Sequence, residues 1–265
     1  MNEIIIKEKL DFLKYILLGC VVDKNHLNLF FNEGIIPDKN ILEKIIEVPT
    51  NRIEGMDEPV NGFTMIGLKR LENLHQLLDF VRINQIEGDL IETGVWRGGA
   101  TIFMKYYCKL YNLDKKVFVC DSFKGLPPPS GKFEADYGDL HHTYKSLSVS
   151  LQDVKSNFSL FDCLDENVIF IEGFFGETLP DNHNINKISL LRMDGDMYES
   201  THDVFYSLYD KVVDGAPIII DDYCLDGCKK CVHDFRESKK ITSEIKNVDR
   251  CGIYWFKKKK NKKNN

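Results

Sequence analysis

The chain has 265 residues, 43% of them apolar, and a formal net charge of −6. Such a length suits one large α/β domain with additions or two small domains, and the apolar share excludes a disordered chain. The charge is spread along the sequence with no basic footprint for nucleic acid, and no apolar run nears the ~20 residues of a bilayer span, which excludes a membrane protein of that kind.

From the N-terminus, Leu17-Leu18-Gly19-Cys20 has the outline of a lipoprotein cleavage site. Glu3, Glu8 and Asp11 spoil the positive leader, however, and Lys14 interrupts the apolar run. Leu10, Leu13, Ile16 or Leu17, and Val21 fall on one face at helical spacing, which predicts an amphipathic helix. The remainder of the first 60 residues reads as loop, broken by Pro37, Pro49 and Pro59. A helix is predicted over residues 65–83, with Ile66, Leu68, Leu71, Leu74, Leu78 and Val81 as its apolar face. Residues 1–83 thus form a helical extension ahead of a main domain, residues 84–257.

Within that domain GDLIETG (88–94), KVFVCDSF (116–123), NVIFIEG (167–173), ISLLRMDGD (188–196) and APIIIDDY (216–223) read as five apolar strands. Helices are predicted after the first strand, at 151–161, at 198–213 and from Cys228, and residues 241–257 read as two antiparallel strands. Apolar strands alternating with helices predict an α/β fold with a mostly parallel sheet covered on both faces. Ligands of such sheets bind outside the carboxyl ends of the strands. The low-complexity KKKKNKKNN from Lys257 is expected to fray, with residues 258–265 as a solvated basic tail.

The acidic residues gather at those strand ends. Glu92-Thr93-Gly94-Val95-Trp96-Arg97-Gly98-Gly99 runs from a strand into a helix, where glycines permit a tight turn and close approach to a ligand. Bulky Trp96 breaks the glycine spacing of a dinucleotide fingerprint, which argues against a pyrophosphate cradle and against a nicotinamide-dependent oxidoreductase. Asp121 closes the second strand, placed to accept both hydroxyls of a ribose. Asp194 and Asp196, with Asp221 and Asp222, sit at adjacent strand ends, where converging carboxylates repel unless protonated or bridged by a cation. Hard oxygen donors suit Mg²⁺, which acidifies a bound hydroxyl while a neighbouring carboxylate takes the proton.

Eight cysteines in a chain of this length and regularity point to a reducing compartment, not to a disulfide scaffold. Cys224, Cys228 and Cys231 have a C-x3-C-x2-C spacing that an iron–sulfur cluster or zinc would accept, but only 34 residues follow, and ordinary helix cysteines are expected.

Together these segments resemble the macrocin O-methyltransferase family, enzymes that methylate deoxysugars in macrolide and aminocoumarin biosynthesis. The resemblance runs from Thr64 to Phe235 through TMIGLKRLENL, GDLIETGVWRGGATIFM, DSFKGLPPP, VKSNF, IEGFFGETLP, LLRMDGDMYEST and IIIDDY in order. It implies a Rossmann-like class I methyltransferase sheet with an antiparallel C-terminal strand, S-adenosylmethionine as cofactor and Mg²⁺ as metal. Glu92, Gly94 and Trp96 would then meet the cofactor's methionine end, Asp121 and Ser122 its ribose, and Gly173 and Phe174 its adenine side. Thr64 and Met65 would close over it. Asp194, Asp221 and Asp222 would hold the metal, with Asp194 or Asp196 as base, Asp194 being favoured. The acceptor would be a hydroxyl of a sugar or glycosylated small molecule, a catechol or phenol being the chemical alternative. A cytoplasmic enzyme is expected, and a homo-oligomer is compatible with it. The sequence departs from the family pattern at Cys224 and Cys231, and residues 130–150, expected at the acceptor pocket, have no convincing match.

Overall fold

Strand-forming runs rich in β-branched and aromatic residues build the centre of the molecule, and the computed structural model describes residues 1–258. In chain order the elements are α1 (Glu3–Leu17), α2 (Lys24–Glu33), α3 (Lys39–Ile45), α4 (Thr50–Glu54) and α5 (Leu68–Ile83). The alternating part follows as β1 (Asp89–Thr93), α6 (Gly99–Leu110), β2 (Val117–Asp121), α7 (Leu151–Leu160), β3 (Val168–Glu172), α8 (Phe175–Thr178) and β4 (Ile188–Met193). It closes with α9 (Tyr198–Leu208), β5 (Pro217–Ile220), α10 (Asp226–Ser238), β6 (Lys246–Asn247) and β7 (Ile253–Phe256).

The seven strands form one sheet in the order β3-β2-β1-β4-β5-β7-β6. The first five are parallel, and β7 runs antiparallel to β5 and β6. Side chains alternate across each strand, so Val117 and Val119 join the apolar cluster on one face while Phe118 and Cys120 join that on the other. The first cluster holds α1, α5 and α6, so the N-terminal helices share a core with the sheet. The second holds α9 and α10, where Phe205 and Phe235 stack with centroids 4.3 Å apart over buried Trp255. Strand order reverses between β1 and β4, and the crevice at their carboxyl ends is where this topology puts a ligand.

Several boundaries differ from those the sequence suggested. Residues 20–60 contain three short helices where loop was expected. Asp23 and Asp38 cap α2 and α3 through their side chains, and Gly34 and Gly55 stop α2 and α4 in the left-handed region. α5 begins at Leu68 because Gly67 is extended, and α9 gives way to a 3-10 turn at Tyr209. Lys257, assigned above to the frayed run, is 6% exposed, and its ammonium donates to the carbonyls of Tyr209 (2.9 Å) and Val212 (2.7 Å). The rest of the expected tail, residues 259–265, lies outside the described residues. Among the described residues no helix is long and apolar enough to cross a membrane.

The cysteine expectation needs correction. Cys224 lies in the loop before α10, not in the helix, and is disulfide-bonded to Cys251 from the turn between β6 and β7. Cys228 and Cys231 are buried free thiols in α10. Periodicity could not reveal a partner brought across by the antiparallel strands. A bonded Cys224 also has no thiolate to offer a cluster or zinc.

Candidate active site

One side of the crevice is made by backbone. Gly94 has φ +85°, and a β-carbon there would lie 1.6 Å from the carbonyl oxygen of Asp194, so the loops after β1 and β4 touch main chain to main chain. Trp96 and Asp196 are held at φ +49° and +57°, a conformation that costs non-glycine residues energy and that clusters at functional sites. The indole of Trp96 donates to the carbonyl of Ser146 (2.9 Å), and Arg97 lies 4.1 Å over its ring. The Asp121 carboxylate accepts the N–H groups of Val95 (2.8 Å) and Phe123 (2.7 Å), tying the β1 loop to the end of β2. Its burial pushes the carboxyl above the usual range although these amides oppose the shift. Ser122 donates to the carbonyl of Gly125 (2.6 Å) and accepts from the amide of Lys124 (3.0 Å).

A cavity of about 440 Å³ opens here. Of the residues singled out from the sequence, Met65, Gly94, Trp96, Asp121, Ser122, Gly173, Phe174, Asp194 and Asp196 line it. Thr64, Glu92, Asp221 and Asp222 do not form its wall. Glu92 is 1% exposed beneath it, bound to Thr101 and Arg192, and burial raises its carboxyl to about 7 against the pull of Arg192. Thr64 is buried in a segment gathered by Arg52, whose guanidinium donates to the carbonyls of Thr64 (3.0 Å), Met65 (3.1 Å) and Ile66 (2.8 Å).

The other side is made of charge. Asp194, Asp221 and Asp222 each bring a carboxylate oxygen within 4.8 Å of the others. The amide of Asp196 donates to Oδ2 of Asp222 (3.0 Å). Arg192, 2% exposed, donates to Asp194 (2.9 Å), Asp221 (2.5 Å) and Glu92. Arg70 pairs with Asp221 and, at 3.0 Å, with Asp249. Part of the charge compensation expected from a bound cation is therefore built into the chain. No ion pair reaches Asp196 or Asp222 among the described residues. Burial and the neighbouring Asp194 push Asp196 up to about 7, and burial with Asp196 and Asp194 holds Asp222 well above the carboxylate range. Three oxygen donors within reach of one another, with no cationic side chain beside Asp222, fit a hard divalent cation, which would favour the ionised form of that carboxyl.

The arginines were not anticipated. Arg192 had a signal, a cation in the middle of the buried run ISLLRM, since arginine is almost never fully buried without a partner. Arg70 had none, its second partner lying 179 residues away. Residues 130–150 form three 3-10 turns beside the cavity. They are pinned there by Asp136, which accepts the amides of Tyr198 (2.7 Å) and Glu199 (2.9 Å) at the start of α9, and by Phe133, whose ring lies 4.7 Å from that of Tyr198.

The family model for macrocin O-methyltransferase matches residues 7–257. Demethyldecarbamoylnovobiocin O-methyltransferase of Streptomyces niveus is 45% identical over 210 residues, 77% of this chain and 79% of that one. Mycinamicin III 3''-O-methyltransferase of Micromonospora griseorubida is 40% identical over 84% of this chain and 87% of its own. A Streptomyces olivaceus enzyme named as a tetracenomycin rhamnosyl 4'-O-methyltransferase is 35% identical over 93% and 91%. The solved structure of the O-methyltransferase NovP superposes with a TM-score of 0.82 at 38% identity, covering 94% of this chain and 98% of that one. The sheet order and this superposition bear out the class I methyltransferase fold expected from the sequence.

Proposed function

Since the chain belongs to the macrocin O-methyltransferase family and is on that account an S-adenosylmethionine-dependent O-methyltransferase, we propose that its acceptor is a sugar hydroxyl on a small molecule and that it works with bound Mg²⁺. The observation that carries this reading is the meeting of a backbone-walled cavity with the Asp194, Asp221 and Asp222 cluster at one strand-order switch. The family match removes the nicotinamide-dependent alternative. The sugar is favoured over a phenol because the Streptomyces olivaceus relative carries a rhamnosyl acceptor in its name. A cytoplasmic location agrees with the supply of this cofactor.

Gly94 and Trp96 would face the methionine end of S-adenosylmethionine, Asp121 and Ser122 its ribose, and Gly173 and Phe174 its adenine side, with Thr64 and Met65 above. When bound, that cofactor supplies an electrophilic methyl group on a sulfonium. Asp194, Asp221 and Asp222 would hold Mg²⁺, a Lewis acid that lowers the pKa of a hydroxyl. Glu92 acts through Arg192, fixing the guanidinium that orients Asp194 and Asp221. Asp196 is the better base on this geometry. It lines the cavity without an ion pair, whereas Asp194 is tied to Arg192. Its carboxylate takes the proton of the acceptor hydroxyl as the oxygen becomes nucleophilic, and positioning supplies much of the remaining rate.

The test is differential. S-adenosylhomocysteine should raise the melting temperature and NAD should not, and excess chelator should abolish methyl transfer while S-adenosylhomocysteine still binds. Full turnover in chelator would remove Mg²⁺ from the reading, and a shift with NAD alone would remove the cofactor assignment.

A further inference from the structure

We propose that the Cys224–Cys251 disulfide positions the Asp221–Asp222 strand end, so that this chain's affinity for a divalent cation depends on the redox state of that cysteine pair. The proposal rests on the cation reading above and deepens it. Cys224 stands two residues after Asp222, in a turn closed by the amide of Leu225 on the carbonyl of Asp222 (2.9 Å). Cys251 belongs to the turn between β6 and β7. There the Asp249 carboxylate accepts the amides of Cys251 (2.9 Å) and Gly252 (2.6 Å) and receives the Arg70 guanidinium (3.0 Å). The same guanidinium meets Asp221.

These contacts form a closed ring. Asp221 leads to Arg70, Arg70 to Asp249, the turn to Cys251, the disulfide to Cys224, and the chain back to Asp222. Asp249 and Arg70 have side chains 1% and 9% exposed, and the carbonyl of Glu54 anchors Arg70 from α4 (2.9 Å). The ring thus hangs on a fixed post. The amide of Asp221 still bonds to the carbonyl of Met193 (2.9 Å), while Asp222 lies past the end of β5 and is held through its side chain by the amide of Asp196. Opening the covalent segment frees the loop that carries Asp222 to sample other conformations, and ligand order falls with it.

Cys224 is exposed, and the six cysteines outside the pair are buried free thiols, so exchange is confined to this bond. A dithiol reductant would attack one sulfur as a thiolate and form a mixed disulfide, which its second thiol then resolves. The reductant leaves as its own cyclic disulfide, having given two electrons and two protons, and Cys224 and Cys251 return as thiols.

The experiment uses the full chain, with Mn²⁺ as the probe, read by electron paramagnetic resonance. Thiols are counted in denaturant before and after dithiol treatment and desalting under nitrogen, and far-ultraviolet dichroism checks that the fold is retained. The expected result is two additional thiols on reduction, Mn²⁺ binding weakened by about tenfold, the lower end for a lost supporting contact at a metal ligand, and S-adenosylhomocysteine affinity unchanged. The double variant Cys224→Ser, Cys251→Ser should bind Mn²⁺ at the reduced level and ignore the dithiol. Equal Mn²⁺ affinity in the two thiol states, or a full set of thiols before reduction, overturns the positioning role. Absence of Mn²⁺ binding in both states overturns the cation reading on which it rests, a distinguishable result.

Discussion

On the β1–β3 side of the crevice the walls are main chain. A glycine pressed against a carbonyl, left-handed Trp96 and a carboxylate spent on backbone amides give that side its shape. On the β4–β5 side the walls are ionisable side chains, Asp194, Asp196, Asp221 and Asp222, set around Arg192 and Arg70. The difference teaches that a single carboxylate can serve opposite ends. Asp121 works as a turn-maker whose carboxylate is taken up by amides, whereas Asp222 has no cationic side chain beside it and is held well above the carboxylate range by burial and by Asp196 and Asp194. On the function proposed above, the first side would recognise by fit and the second would act by electrostatics.

That contrast can be broken most severely at Arg192. Arg192→Met takes the only ion-pair partner from buried Glu92 among the described residues and leaves Asp221 with Arg70 alone, and chemical denaturation should report a loss of about 3–5 kcal/mol, the cost of removing one partner from a buried pair. A loss below about 1 kcal/mol would mean that water or protonation already relieves these carboxylates. Asp222→Asn sharpens the contrast in the other direction. The catalytic rate should fall by about 100-fold or more, the scale for a positioned electrostatic or proton-transfer group, while S-adenosylhomocysteine titration gives an unchanged affinity. Parallel loss of both would dissolve the division between the two sides. The smallest effect is expected at Asp121. Asp121→Ala leaves two amides unpartnered, and calorimetry should find cofactor binding weaker by roughly 1.5–3 kcal/mol, the range for hydrogen bonds to a charged group. The rate at saturating cofactor should then remain near that of the parent protein.

Much of this was legible in the chain because parallel strands buried on both faces read as uninterrupted apolar runs, and their ends are marked by the first carboxylate or glycine. That rule located β1 to β5 and brought Asp194, Asp221 and Asp222 together before any coordinates. Contacts between side chains far apart in sequence were less visible. Glu92 shares its strand with the cavity loop, yet the direction of its side chain, down toward Arg192, depends on strand register. Arg70 and Asp249 carry no mark of each other, and Cys251 none of Cys224. The short helices α2 and α3 were missed for a local reason. Their signals are aspartate caps in a polar stretch, and periodicity needs a longer window than they provide.

Lys257 sets a boundary for anyone handling this protein. Its ammonium gathers carbonyls at the end of α9, and its own carbonyl accepts the amide of Gly215 (2.7 Å) while its amide donates to Ala216 (2.9 Å). The residue therefore fastens the last sheet strand to the loop that feeds β5, the strand ahead of Asp221. Affinity tags and trimmed expression variants should be joined beyond it. A cut one residue earlier would remove both the ammonium and the main-chain pairing, and the damage would travel through β5 to Asp221 and Asp222, the proposed metal ligands.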